Sequence, residues 1–274
     1  MSVDFPEKLD ATLAILETPK FLATKDSDGE PNISFITSWT KYDETTLVYG
    51  DFLTYKTRMN LEAGNHELGI LVMTTDLDSW LIRADFEGFH RNDEIYEFIA
   101  MTPLFRYSQY TNARFAGTAI PKEISKNIKL SKFSVLRSYL GARLSSRKIP
   151  SRLAREGNLP YNVQSRFSQM TSVRVISFVS DDGYPIAFPE FGVYPASSNH
   201  LTVMRHEERR RGYSIKDGTR VAISLVTLEP AAFQVKGTFR EIDKKLAYVE
   251  LDRVYACSLP CPGIRVDVPR IDTH

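Results

Sequence analysis

LVYGDFLTYKTRMNLEAGNHELGILV, residues Leu47 to Val72, is the stretch on which the reading of the chain turns. Leu47-Val48-Tyr49 is the kind of β-branched and aromatic run that strands use, and Gly50-Asp51 reads as the turn that ends it. A short helix is predicted from about Thr54 to Ala63, with Gly64-Asn65 as its stop. Leu68 to Thr74 reads as the next strand. Thr54 is a candidate N-cap, which puts Tyr55, Lys56 and Thr57 on the first turn. Backbone N–H groups there lack helical partners and the helix dipole favours anions. A lysine and a hydroxyl in that place suit a phosphate group. An ordinary helix start with solvated charges is the other reading of the same residues.

Upstream, FLATKDSDGEPNISFITSWTKYD (Phe21–Asp43) reads as a strand, a turn at Asp28-Gly29 and a second strand carrying Ser34, Thr37, Ser38, Trp39 and Thr40. In strict alternation Thr37 and Trp39 share one face, and Ser34, Ile36 and Ser38 the other. At most half of that set would then face a ligand, unless a bulge intervenes. Downstream, DSWLIRADFEGF (Asp78–Phe89) reads as another strand, with Trp80 in the core.

Taken in order, FLATKDSDGEPNIS, LVYGDF, KTRMNL, HELGILVM and WLIRADFEG resemble the FMN-binding split-barrel family typified by pyridoxamine 5'-phosphate oxidase. The order of these motifs is more specific than any one of them. The resemblance implies that the segment from Ser34 through Thr37 and Ser38 to Trp39 holds the flavin phosphate and ribityl chain. It gives the same role to the helix start at Tyr55, Lys56 and Thr57, and adds Gly50 and Asp51 to the cofactor-binding set. Trp39 would stack on or border the isoalloxazine; as a plain core aromatic it would need no such role. Asn60 is expected on the helix surface. True pyridoxamine phosphate oxidases end in a segment rich in Arg, His and Trp, which the tail CPGIRVDVPRIDTH does not match. The resemblance therefore implies an FMN-dependent oxidoreductase of unassigned substrate, with the flavin supplying the hydride chemistry. Its rivals are a non-catalytic cofactor-binding or electron-transfer module for FMN, haem or deazaflavin, and a scaffold whose sites are both dead.

The same pattern returns later in the chain. Asp182-Gly183 and Pro185 answer Asp28-Gly29 and Pro31 at an offset of 154 residues, and FQVKGTF answers WLIRADF at 153. A repeat of that period implies two copies of one fold. The expected architecture is mainly β, two tandem split β-barrels with flanking helices, fused as an intrachain pseudo-dimer. The expected division is a first barrel with an N-terminal helix (1–100), a basic helical connector (101–170), and a second, degenerate barrel with the C-terminal tail (171–274). Opposite Ser34, Thr37 and Ser38 stand Phe188, Phe191 and Gly192, and opposite Thr54 to Thr57 stand Glu208-Arg209-Arg210-Arg211. Copy two lacks the hydroxyls, and Glu207 and Glu208 would repel an anion. One flavin site per chain is expected, built by copy one, with its far wall supplied by copy two or by a second chain in a homodimer.

Other segments say less. Phe5 to Glu17 has helical spacing, and Asn92 to Ala100 (NDEIYEFIA) reads as a short helix or a closing strand with Ile95, Phe98 and Ile99 inward. Ile124 to Leu144 is predicted helical through Ile128, Phe133, Leu136, Leu140 and Leu144, and Lys122 to Arg155 is strongly basic. It reads either as a basic helix touching a phosphate-bearing ligand, nucleic acid or an acidic partner, or as an inter-domain connector with a solvated basic face. The chain carries 35 Lys and Arg against 34 Asp and Glu, so total charge implies neither a nucleic-acid nor a membrane partner. No signal-peptide pattern or membrane-length apolar run occurs, and a cytoplasmic location is expected. Cys257 and Cys261 are too few to make a metal site without histidines at ligand spacing, so no metal is expected. His206 is a surface histidine in the plain reading and a haem ligand in the sharper one. The substrate or redox partner cannot be read from the residues.

Overall fold

Strands dominate the computed structural model, which describes residues 3–52, 54–106, 113–149, 158–227, 231–258 and 262–266. The chain divides into two units: residues 1–130 with 179–187, and residues 131–178 with 188–274. In the first, α1 (Glu7–Leu13) leads to β1 (Lys20–Lys25), β2 (Pro31–Phe35), β3 (Thr40–Lys41) and β4 (Leu47–Asp51). Then come α2 (Tyr55–Glu62), β5 (Glu67–Met73), β6 (Asp78–His90), α3 (Glu94–Ala100), α4 (Pro103–Arg106), β7 (Phe115–Ile124) and β8 (Ile128–Lys129). The strand order is β2-β1-β5-β6-β7-β4-β3, with β8 added beside β6.

The later part of the chain carries α5 (Lys132–Ser145) and α6 (Tyr161–Phe167), then β9 (Val173–Val179), β10 (Pro185–Pro189), β11 (Val193–Pro195) and β12 (His200–Met204). It ends with α7 (His206–Arg210), β13 (Arg220–Val226), β14 (Ala232–Glu241), β15 (Leu246–Ala256) and β16 (Ile264–Arg265). The second sheet runs β10-β9-β13-β14-β15-β12-β11, the order of the first, with β16 beside β15. The fold is mainly β, two similar eight-stranded antiparallel sheets in tandem. The Asp-Gly turns before β2 and β10 correspond closely: Gly29 and Gly183 have φ of +76° and +88°, a region costly for residues with a Cβ. The repeat also reaches further back than the strands. α6 lies 154 residues after α1, as Arg174 does after Lys20.

Alternation explains the first core. Leu22, Ile70, Val72, Trp80 and Ile82 project from one face and pack with Trp39, Tyr49 and Leu61. A second cluster joins Val48 and Ala116 to Ile99, Phe105 and Ala113 on the other face. Among the described residues no helix is long and apolar enough to cross a membrane.

Several local expectations are corrected. Gly50 and Asp51 continue β4, paired with Ala116 and Phe115 of β7, and are not a turn. Gly50 is required by packing, because a Cβ there would fall 2.5 Å from the Phe105 ring. Ser34 to Trp39 is not one strand either. β2 stops at Phe35, and a turn at Thr37-Ser38 lets Ile36 and Trp39 both enter the core. The Ser38 hydroxyl ties that turn to Gly50, accepting from its N–H at 3.1 Å and donating to its C=O at 3.2 Å. Residues 124–144 are not one helix: β7 ends at Ile124, β8 intervenes, and α5 begins at Lys132 behind a Ser131 cap. α5 packs through Tyr139 and Ala142, whereas Phe133, Leu136, Leu140 and Leu144 are exposed. In α3 only Ile99 is fully buried, and Phe98 is exposed.

Candidate functional site

Residues on α2, β1 and β2 build a polar seam in the first unit. The Thr57 and Ser34 hydroxyls are 2.8 Å apart, and Asn32 Nδ2 donates to Thr57 Oγ1 at 3.1 Å. Asn60 Nδ2 donates to Thr24 Oγ1 at 3.0 Å, so Asn60 faces the sheet and not the helix surface. Seams of this kind replace the apolar face a helix ordinarily buries. Thr54 holds the N-cap position without capping: its hydroxyl turns back to donate to Asp51 Oδ1 at 2.6 Å, and its N–H donates to the same oxygen at 3.2 Å. The first turn of α2 is thus left without a side-chain cap.

The nine residues singled out from the sequence fall into two layers. Ser38, Trp39, Gly50, Asp51 and Thr57 are buried, Trp39 and Thr57 completely. Ser34, Thr37 and Lys56 are half-buried, and Tyr55 is 66% exposed. Trp39 packs against Tyr49 with ring centroids 4.5 Å apart. Its indole N–H and the Tyr49 hydroxyl are buried with no hydrogen-bond partner among the described residues. Desolvation lifts the Tyr49 phenol well above its ordinary pKa. The donors that reach the surface (a lysine, two hydroxyls and a phenol) have the chemistry that a phosphate with a polyol chain requires. Among the nine, those that can meet such a ligand are Ser34, Thr37, Tyr55 and Lys56.

A further group was not singled out from the sequence. Arg58, Arg91, Asn92, Tyr96, Arg114 and Phe115 line a cleft of about 540 Å³ in the same unit. The Arg58 guanidinium lies 4.2 Å from the Phe115 ring centroid and that of Arg91 5.4 Å from it. Tyr96 Oη donates to the Ala113 carbonyl at 2.9 Å, and the Arg114 N–H to that of Asp51 at 2.8 Å. Asp93 caps α3 through Tyr96 N–H and also meets His90 at 2.8 Å, which fixes the rim. The cleft stands where the repeat breaks: residues 91–114 separate β6 from β7, whereas only residues 242–245 separate β14 from β15. The uneven spacing of the repeat after Phe89 was the signal available in the sequence.

In copy two the corresponding positions are filled from within. Arg211, the counterpart of Thr57, lies with its guanidinium 5.8 Å from the ring of Phe188, the counterpart of Ser34. Tyr213 stacks on the same ring at 6.1 Å. Glu190, Glu207 and Glu208 are all buried beside it, and Arg205 pairs with Glu208 at 2.6 Å. Burial, and for Glu190 the neighbouring Glu207, raises all three carboxyl pKa values. His206 is half-buried on α7, and burial together with Arg209 and Arg137 lowers its pKa. Cys257 follows β15, with its Sγ 3.8 Å from the Tyr255 carbonyl; Cys261 lies outside the described residues.

The first unit thus presents a lysine-bearing helix start and an arginine-lined cleft on one antiparallel sheet, and the second, among the described residues, repeats the sheet without those features. No protein-family model matches the chain, and no curated protein matches it. Solved structures do. An FMN-binding protein from Syntrophomonas wolfei is 18% identical, over 46% of this chain and 87% of that one, with a TM-score of 0.39. HupZ from Group A Streptococcus is 19% identical, over 46% and 95%, with a TM-score of 0.39. A candidate pyridoxamine 5'-phosphate oxidase from Lactobacillus delbrueckii is 19% identical, over 44% and 93%, with a TM-score of 0.37.

Proposed function

We propose that the chain is an FMN-binding oxidoreductase of unassigned substrate whose cofactor phosphate is held by the first unit, and that it is not a pyridoxamine phosphate oxidase. The observation that carries this reading is the uncapped first turn of α2, with Lys56 on it and the Ser34 hydroxyl beside it. A lysine ammonium and the N–H groups of a helix start complement a phosphate dianion, and both act in the same direction. Lys56, Ser34, Thr37 and Tyr55 would touch the cofactor. Ser38, Asp51 and Thr57 would hold those residues in place from beneath through the hydrogen bonds already described. Bound FMN would supply hydride transfer, and the chain would bind and orient it. In copy two Arg211 and Tyr213 take up the corresponding space, which supports a single site.

The test is the absorbance spectrum of the purified chain, followed by heat release of any chromophore. Oxidised-flavin bands and released FMN are expected. Lys56→Ala should weaken FMN retention at least tenfold, while Arg210→Ala leaves it unchanged. A Soret band would assign the site to haem, and a colourless chain that takes up no FMN would end the flavin reading.

A further inference from the structure

We infer that the cleft lined by Arg58, Arg91 and Arg114 is a second anion site, built to take a phosphorylated small molecule and separate from the contacts proposed for FMN. Among the described residues three cationic side chains line it and no carboxylate does. Glu62 neutralises one of them, meeting Arg58 Nε at 2.7 Å. Among the described residues neither Arg91 nor Arg114 has a carboxylate within ion-pair distance; the acid nearest in sequence, Asp93, is engaged by Tyr96 and His90. Arg58 and Arg91 are drawn towards one aromatic ring, that of Phe115. Stacking of this kind orients guanidiniums while leaving their edge N–H groups available. Two like charges held at one ring repel, and an anion accepting from both removes that penalty while using the fork geometry that phosphate oxygens match. A volume of about 540 Å³ lies within the range of small-molecule sites.

The cleft is distinct from the helix start. At 3.6 residues per turn, Lys56 and Arg58 project from α2 roughly 200° apart. Thr57 between them is buried against β2. The cleft is also a property of one copy, since all its residues except Arg58 belong to, or flank, the 91–114 segment that copy two lacks. Phe115 makes its wall aromatic, so a ligand carrying a planar ring beside its phosphate would gain a stacking surface as well.

Calorimetric titration of sodium pyrophosphate into the full-length chain at low chloride tests the assignment. The wild type is expected to bind. Arg91→Gln/Arg114→Gln, two changes at exposed positions, should weaken binding at least tenfold, and Lys56→Ala should leave it within twofold. The double variant should retain FMN as the wild type does. Absence of binding to the wild type, equal affinity in the double variant, or a matching loss in Lys56→Ala would each overturn the second site. Loss of FMN by the double variant would also overturn it, by making the cleft the cofactor site itself.

Discussion

Lys20 and Arg174 stand at equivalent places on the first strand of each sheet, and each is a buried cation spent on backbone. Lys20 Nζ donates to the carbonyls of Ile15 at 2.7 Å and Thr37 at 2.9 Å. Arg174 donates to those of Phe167, Gln169 and Ser172. Each thereby anchors the segment that follows the preceding helix, and desolvation brings their pKa values down to about 8 and about 10. Glu190 is the converse case. Burial first, and the nearby Glu207 second, hold its pKa well above the usual 4.5, against one hydrogen bond from the Gly192 N–H at 2.9 Å. The folded chain therefore keeps a proton that the unfolded chain has released, so this group lowers stability as pH rises from about 4.5 towards the folded value. Glu190→Gln keeps an acceptor for Gly192 and removes the titration. Its Tm should exceed that of the wild type at pH 8 by about 2–4 °C per kcal/mol relieved, and the gap should shrink towards pH 5. A difference that stays constant over that range would show that Glu190 is not the titrating group.

At the scale of the element, α2 shows why pattern reading located a helix and misjudged its faces. Gly64, with φ of +89°, stops the helix as expected. Its apolar content is low, and the helix docks by hydroxyls and amides that no hydrophobic period reports. Thr57→Val leaves the volume unchanged but removes the acceptor that Asn32 Nδ2 meets at 3.1 Å and the hydroxyl that Ser34 meets at 2.8 Å. That should cost about 1–3 kcal/mol in denaturant unfolding. Lys56→Ala, roughly 100° around the helix from Thr57, should change stability by less than about 0.5 kcal/mol. If Thr57→Val were neutral, the seam would not be what docks α2. The turn at Thr37-Ser38 was missed for a related reason. Its sequence alternates like a strand, and what bends it is the bridge from Ser38 to Gly50, a residue twelve positions on.

For the whole molecule, duplication is the dominant fact, and its failures locate the chemistry. Both copies keep the strand order, the Asp-Gly turn and the buried cation on the first strand. They differ where copy one offers hydroxyls and a lysine, and copy two an arginine, aromatics and buried carboxylates. A chain with two working sites would release two flavins; we expect about one per chain, since binding sites are few per protein and copy two is filled by its own side chains. Quantifying FMN released from a weighed sample checks this, and a ratio near two would mean that the ion cluster around Arg211 opens to admit cofactor.

The amino-acid sequence by itself determined the β-rich class, the two copies and the register between them. Those features rest on local propensity and a period that any pairing of the strands must respect. It also placed Lys56 on a helix start, because Gly64 and the flanking strands leave α2 little freedom in its ends. Only the tertiary structure decided which of the marked residues reach the surface, since burial depends on what packs over a residue from elsewhere in the chain. The arginine cleft is the clearest case. Arg58 and Arg91 lie on different elements, and they meet at Phe115 because β6 and β7 pair and bring the ends of a long insertion together.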